Sequence, residues 1–560
     1  MNEPHKRDRL RLAVKRRQEC DVVLSCEQSL PRRNLVVRAL LCNLFIVLLL
    51  AARVSHAADP VHQQIDRLIE AKITGPVAPR SPDAEFIRRV TLDLAGRIPT
   101  ADETRSFLQD DSKDKREALI ERLLSGPEYA TAMAGLFNVM LMERRGENAD
   151  WDRFLKTSFA ANQPWNELVR QILLPSADNE ESRGSAWFYK RRLEKSGQQP
   201  TDYAGLTRDV GRLFLGVDLQ CAECHDHLMI DDYKQQEFQG LFSVYKNVSI
   251  RNEKFPAINE KSITEKLEFI SVFGSEHQVT GPRIPFGAEF EIPPPPEEQP
   301  KKKPDPNAPP AFSSLKLIAA NLPSPENSLF CRNSANRIWF ALMGQGLVEP
   351  LDQFHSDNQA THPEVLNLLA TEFAAHEFDL KWLLRQIILS ETYQRSSRTS
   401  EETIEGTYAR ARLRRLTADQ HLASLLVATG NLQRLLPSES EPSEQYTELQ
   451  KEFLSAFAAE PKEPALSYAP AVKQALFQLN ESQFLNLLTP QENNLTERIA
   501  KLQPRDVIDE CFLSIFSRLP TVSERELAID QIPDNEASRA ARIQRLVWAM
   551  LTSIEFAVNH

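Results

Sequence analysis

Apolar residues recur at helical spacing along most of residues 61–245. Phe86, Ile87, Val90 and Leu94 share one helical face. Arg89, Asp93 and Arg97 stand four apart and are expected to form a solvated ion-pair stripe on the other face. Thr100 with Glu103 makes a capping box. A second amphipathic helix is expected from there to about Leu124, where Gly126 and Pro127 end it. Leu206, Val210, Leu213 and Phe214 form a further face that Gly216 terminates. Between residues 247 and 322 the pattern shortens. Short alternation from Leu267 to Phe273 predicts a few β-strands, and the proline- and charge-rich tract 293–310 predicts an extended linker or long loop. Helices return at Pro323. Pro363 opens one; Leu380, Leu383, Leu384, Ile387 and Ile388 form a buried face. Thr417 with Gln420 caps another helix that Gly430 stops, and residues 437–448 are expected as an exposed loop. The predicted fold class is mainly α. Two helical domains, 58–246 and 323–560, flank a small β-containing, proline-rich insert at 247–322.

One helical sentence is written twice. Arg97-Ile98-Pro99-Thr100 with Glu103 corresponds to Arg518-Leu519-Pro520-Thr521 with Glu524. Ile120-Glu121-Arg122-Leu123-Leu124 and then Glu128-Tyr129-Ala130 correspond to Ile543-Gln544-Arg545-Leu546-Val547 and then Glu555-Phe556-Ala557. Two copies do not make a solenoid, which needs at least three stacked units. Each hairpin has an apolar face: Phe107, Ile120, Leu123 and Leu124 in the first, Leu527, Ile529, Ile543 and Leu546 in the second. A lone hairpin cannot cover such a face, so the two ends are expected to form one body.

Composition narrows the function classes. The chain has 560 residues, 41% hydrophobic and 26% charged, with a formal net charge of −11. An acidic balance argues against a non-specific nucleic-acid binder. The N-terminus is basic through Lys6, Arg7, Arg9, Arg11, Lys15, Arg16, Arg17, Arg32, Arg33 and Arg38. An apolar run follows at residues 39–52, then Ser55 and Ala57. Residues 1–57 therefore predict a signal peptide with an unusually long basic region, cleaved before Ala58. An uncleaved N-terminal anchor is the alternative. No later segment is apolar enough to span a bilayer, so the mature chain is expected in the periplasm or at the cell surface.

Cys20, Cys26 and Cys42 fall in this leader; Cys221, Cys224, Cys331 and Cys511 remain. So few cysteines do not make a disulfide framework. Two of them sit in Cys221-Ala222-Glu223-Cys224-His225-Asp226-His227. This spacing brings two sulfurs to one porphyrin edge and carries the next imidazole beneath the iron. It predicts haem c on Cys221 and Cys224 with His225 as axial iron ligand. Export agrees, because such haems are attached outside the cytoplasm. Two other readings stand beside it. Cys221, Cys224, His225 and His227 could hold zinc or another divalent metal, or the two cysteines could be a disulfide or free thiols. Met229 and His227 are too close in sequence to reach the opposite haem face. His277, His355, His362, His376, Met133, Met140 and Met142 are distal candidates in principle, and an open sixth position is another outcome. Asp226, Asp231 and Asp232 crowd the motif as loop carboxylates or acid/base groups. There is no nucleophile elbow, phosphate loop or His-Glu-x-x-His motif.

These residues resemble a known pair of domains. Phe86-Ile87-Arg88-Arg89-Val90, Leu92-Asp93-Leu94, Gly96-Arg97-Ile98-Pro99-Thr100 and Phe214-Leu215-Gly216-Val217 leading into the cysteine motif resemble the planctomycete cytochrome-like domain. Asn336-Arg337-Ile338-Trp339, Gly344-Gln345-Gly346-Leu347-Val348-Glu349-Pro350, His362-Pro363-Glu364, Phe378-Asp379-Leu380-Lys381 and Gln474-Ala475-Leu476 resemble the planctomycete-specific C-terminal domain usually fused behind it. Both domains have unknown activity. The resemblance implies a cytochrome-like motif but no reaction. The chain departs from the family where Pro-Phe-Asp-Lys-Trp usually follows His-Asp-His and Leu228-Met229-Ile230-Asp231-Asp232-Tyr233 stands instead. The functional expectation is electron transfer or redox chemistry with redox partner proteins. The alternative is a non-enzymatic scaffold that binds a polysaccharide or cell-surface protein. Metal-dependent hydrolysis of an extracellular polymer ranks third.

Overall fold

Helix dominates because the apolar positions recur every three to four residues and each segment carries its own start and stop. A computed structural model describes residues 59–560 apart from 177, 196, 252–255, 295–309, 311, 399–402, 404–405, 438–441, 463–471 and 533–535. The expected leader and most of the expected proline tract lie outside the described residues. Among those described there are 24 α-helices and three two-stranded antiparallel sheets, so the fold is mainly α. The three capping boxes form at Thr100–Glu103, Thr417–Gln420 and Thr521–Glu524. Gly430 ends its helix in the left-handed conformation, and Pro363 sits at the first helical position. Two boundaries differ from expectation. The helix expected to run to Leu124 is two, Ala101–Gln109 and Lys115–Ser125, broken where Asp110 and Ser112 bond to each other. The loop expected at 437–448 already becomes helix at Glu444, because Ser443 caps that helix by accepting from Tyr446 N–H. Strand Leu267–Ile270 pairs with His277–Thr280, as the alternation predicts.

Residues 61–560 form one compact unit. Its central element is the helix Asp83–Ala95, which is buried on every face between Glu85 and Leu94. The expected solvated stripe is therefore corrected. Arg88 is fully buried, and Arg89 and Asp93 nearly so. Arg88 donates to the carbonyls of Ile515 (3.1 Å) and Phe556 (2.9 Å). Arg89 pairs with Glu85 at 2.5 Å and donates to the carbonyls of Tyr393 and Arg395. Asp93 accepts from Arg414 (2.7 and 2.8 Å), from the Tyr393 hydroxyl (2.7 Å) and from Asn559 (2.9 Å). Periodicity could not show this, because the partners come from segments hundreds of residues away. A buried charge is tolerated only when paired and hydrogen-bonded.

The duplicated hairpin folds the same way twice. In the first copy Arg97 reaches Glu103 (2.8 Å) and Glu128 (2.7 Å). In the second, Arg518 reaches Glu524 (2.7 Å) and Glu555 (2.6 Å). Each guanidinium thereby ties the capped helix to the start of the segment that closes the hairpin. Gly96 and Ser517, one residue before each arginine, both take positive φ. The faces are covered differently. Phe107, Ile120, Leu123 and Leu124 are buried, as is Ile543, but Ile529 and Leu546 are half-buried and Leu527 is 73% exposed, contrary to expectation. The apolar core has two parts. One packs residues between Ile65 and Tyr408; the other packs residues between Leu416 and Phe556 and takes in Leu92 and Ile98 from the first hairpin.

Two predictions follow from these polar anchors. Asp93→Ala strands Arg414, Tyr393 and Asn559 in the core and should lower unfolding free energy by about 3–5 kcal/mol in urea titrations. Asp102→Ala, at an exposed i,i+3 pair with Arg105, should change it by no more than about 0.5 kcal/mol. The clamps should be pH-dependent. Burial opposes ionisation of Glu103, but Arg97 outweighs it and holds the carboxyl at about 2. Arg518 holds Glu524 at about 2 as well. Both carboxyls lie below their ordinary 4.5, so this stability is complete above pH 4.5 and is lost as pH falls towards 2. Arg97→Met and Arg518→Met should each cost about 1–2 kcal/mol at pH 7. Their gap to the parent protein should close over that window.

Candidate functional site

The chain reaches the cysteine motif through an irregular descent. Helix Tyr203–Val210 runs into one π-helical turn, Gly211–Leu215, and stops at Gly216 with φ of 71°. A Cβ on Gly216 would sit 2.6 Å from the Phe354 ring and 2.8 Å from Asn333 Oδ1, so both the backbone and the space require glycine. A 3₁₀ turn, Cys221–Glu223, follows. The Cys221 carbonyl accepts from Cys224 N–H and His225 N–H at 3.2 Å each, which folds both sulfurs and the imidazole around one turn. Ala222 between them is fully buried and anchors the turn. Cys221 and Cys224 are free and exposed; Cys331 and Cys511 are free and buried. Burial pushes the Cys331 thiol up to about 11 and the Cys511 thiol up to about 12, which leaves both inert at neutral pH.

The two histidines are held in opposite tautomers. His225 Nδ1 lies 2.6 Å from the Asp226 carbonyl. A carbonyl only accepts, so Nδ1 carries the proton and Nε2 keeps an open lone pair. His227 Nδ1 accepts from the backbone N–H groups of Met229 (3.1 Å) and Ile230 (2.9 Å). In the neutral ring its proton is then on Nε2, and its lone pair is already engaged. His225 thus keeps one ring nitrogen out of the local hydrogen bonds, and His227 closes its own loop. Among the described residues no group of three or more His, Cys, Asp and Glu side chains is arranged to hold a metal ion. That holds for Cys221, Cys224 and His225 and for the same three with His227.

The crowding carboxylates are mostly committed. Asp226 Oδ1 accepts from Gln235 N–H (2.8 Å) at the start of helix Gln235–Tyr245, and Asp232 accepts from Ser356 N–H. Glu223 pairs with Arg208. Asp231 is exposed. The hairpin that follows adds an apolar wall. Val272 N–H donates to the Cys224 carbonyl at 3.1 Å, and the Phe273 ring lies 4.6 Å from the His225 ring. Leu228 (71%), Met229 (81%), Val272 (66%) and Phe273 (70%) are all exposed around the motif.

Residues 333–356 brace the approach to this site. Asn333 donates to the Leu213 carbonyl (2.9 Å), Arg337 to the Arg212 carbonyl (2.7 Å), and Phe354 N–H to the Gly216 carbonyl (2.9 Å). Tyr233 O–H donates to the Phe354 carbonyl at 3.2 Å. Below the π-turn, Asp209 takes Arg192 (2.7 Å), Arg145 (3.0 Å) and Arg212 (3.1 Å). Burial alone would raise the Asp209 carboxyl, but those three arginines outweigh it and hold it below its usual range. Sequence reasoning missed this brace. Gly216 is legible in the sequence as a helix stop, and Gly216 and Arg337 stand in the motifs of the resemblance, but no local pattern shows that the two segments meet.

The remaining distal candidates are scattered over other environments. His355 lies against Tyr233 at 5.7 Å, and His277 pairs with Glu268 on the hairpin. His362 packs on Tyr408, His376 stacks on Trp382 at 3.8 Å, and Met133 and Met142 are core residues. Met140 packs against the same core.

Two family models match separate segments of the chain. Residues 64–250 match the family model PSCyt2, described as a protein of unknown function (DUF1549). Residues 316–532 match PSD1, described likewise (DUF1553). The chain thus carries two domains of unknown function in the planctomycete-type order. No curated protein and no solved structure matches it. Among the described residues no helix is long and apolar enough to cross a membrane. The brace crosses between the matched segments: Asn333, Arg337 and Phe354 of the second hold Leu213, Arg212 and Gly216 of the first.

Gly216→Ala tests that brace. The left-handed backbone alone costs about 1–2 kcal/mol, and the clash with Phe354 adds to it. Gly197→Ala has a similar φ of 62° but nothing within 4 Å, so it reads the backbone cost alone. Thermal unfolding should show Gly216→Ala to be the more destabilising; equal effects would mean that Phe354 yields freely.

Proposed function

We propose that the chain carries a covalently attached c-type haem on Cys221 and Cys224, with His225 as axial ligand. It would serve electron transfer or related redox chemistry outside the cytoplasm. The observation that carries this reading is the His225 tautomer: Nδ1–H is spent on the Asp226 carbonyl and Nε2 is open, beside two free and exposed thiols. The donor set therefore fits the group. A haem bound there supplies a one-electron iron couple tuned by its ligand and surroundings. The chain's own residues do the rest. The Cys221–Glu223 turn keeps the two exposed cysteines three residues apart, with Cys224 N–H bonded to the Cys221 carbonyl. The Asp226 carbonyl fixes the imidazole plane and leaves Nε2 as the nitrogen that can donate to a metal. Phe273 limits rotation of the ring, and with Leu228, Met229 and Val272 it offers apolar surface that excludes water from a flat hydrophobic ligand. A zinc site has less support, because His227 uses its lone pair on two backbone amides. Binding of a protein or polysaccharide without catalysis keeps one observation in its favour, the exposed apolar rim around the motif.

Expression with a c-type maturation system should give a red protein whose haem stays with the chain on denaturation and gives a pyridine haemochrome spectrum. Cys221→Ala and Cys224→Ala should each lose a thioether. His225→Ala should keep the covalent haem and shift its visible bands. His227→Ala should leave haem content unchanged, whereas a four-ligand metal site would lose its metal with that variant. A colourless protein from a host that matures other c-type cytochromes would refute the redox reading.

A further inference from the structure

The hairpin of strands Leu267–Ile270 and His277–Thr280 lies between the two matched segments and belongs to neither. It is nevertheless fastened to the cysteine motif. Phe269 and Thr280 share its inner face, and both are buried. Beyond the second strand Arg283 pairs with Glu289 at 2.7 Å, and Phe286 N–H donates to Glu237 of the helix Gln235–Tyr245 at 2.6 Å, so the returning chain is anchored too. At the tip, Val272 N–H holds the Cys224 carbonyl at 3.1 Å. Gln235, only 3% exposed, makes a second tie. Its backbone N–H donates to Asp226 Oδ1 at 2.8 Å, and its side-chain Nε2 donates to the Ile270 carbonyl at 3.3 Å. One buried residue thereby joins the hairpin to Asp226, whose carbonyl takes Nδ1–H of His225.

An imidazole at an exposed turn ordinarily exchanges between staggered rotamers. That of His225 has two restraints: the Asp226 carbonyl at 2.6 Å, and the Phe273 ring at 4.6 Å with 49° between the planes. Phe273 is itself 70% exposed, so core packing does not place it; the neighbouring bond from Val272 to Cys224 does. We propose that this hairpin, which lies outside both families, is a working part of the iron site, with Phe273 and Gln235 as positioning residues that hold His225 in one orientation. This role presupposes that His225 is the axial ligand of a covalent haem. Contacts behind a ligand orient it, and ligand orientation and local polarity tune the metal. Attachment belongs to Cys221 and Cys224, so neither positioning residue should change haem content.

The test uses the full chain matured with haem, and two readouts that a merely structural role would not move. One is the proton NMR spectrum of the ferric protein, in which the spread of the haem methyl signals follows the plane of the axial imidazole. The other is the midpoint potential. Phe273→Ala should alter the methyl spread and lower the potential, because water near the iron favours the ferric charge. Phe273→Tyr should restore both. Gln235→Ala keeps its backbone bond to Asp226 but loses the tie to Ile270, and should shift both readouts in the same direction. Val279→Ala, on the outer face of the same hairpin and 61% exposed, should shift neither. In the haem-free chain with labelled histidine, Phe273→Ala should move the His225 ring-proton signals by removing an aromatic ring current. Unchanged methyl spread and potential in a red Phe273→Ala protein, or unmoved His225 signals in the haem-free one, would overturn the inference and leave the haem reading standing. A colourless parent protein refutes the haem reading itself, and the positioning role falls with it.

Discussion

The helix Asp83–Ala95 imposes the constraint on which the fold depends. It carries two arginines and two carboxylates into the core, and charges in the core must find partners or the fold fails. Only Glu85 and Arg89 satisfy each other within the helix. Arg88 is answered by backbone carbonyls near residues 515 and 556, and Asp93 by Tyr393, Arg414 and Asn559. Burial pushes the Arg88 guanidinium down to about 10, which still leaves it charged at neutral pH. The first helical layer is therefore incomplete until the last residues arrive. The short pairing of Arg414–Arg415 with Val558–Asn559 holds those partners in register.

The same dependence reaches the cysteine motif. Its immediate geometry is local, made by one 3₁₀ turn and two short histidine contacts. Its placement is not local. The π-turn and Gly216 that deliver the motif are held by Asn333, Arg337 and Phe354, and the loop beyond it is tied to Phe354 through Tyr233. A π-helical turn sacrifices regular hydrogen bonding, and such turns concentrate at functional sites. Here the second matched segment supplies the missing bonds, which gives a physical reason for the two domains to travel in one chain.

The duplicated hairpin separates what a local sequence dictates from what its surroundings decide. Arginine, proline, threonine and glutamate in the same order produce the same clamp twice, with nearly the same distances. The first apolar residue after the arginine, Ile98, is buried with its N–H on Ser424 of the helix Ala418–Thr429, whereas Leu519 in the second copy is 51% exposed.

By itself the sequence determined the helical class, the capping boxes, the helix faces at Leu380–Ile388, the strand at Leu267 and the cysteine-histidine motif. Each rests on residues within a few positions of one another, where 3.6- and 2-residue periods and capping chemistry act directly. Only the tertiary structure decided that Arg89 and Asp93 are buried, that Leu527 is exposed, that His225 and His227 take opposite tautomers, and that residues 333–356 brace the site. The charged ladder at Arg89 and Asp93 has the spacing of a surface stripe, and nothing local distinguishes the two cases. What distinguishes them is whether another segment arrives to hydrogen-bond the charge, and here that segment lies some 300 to 470 residues further along the chain.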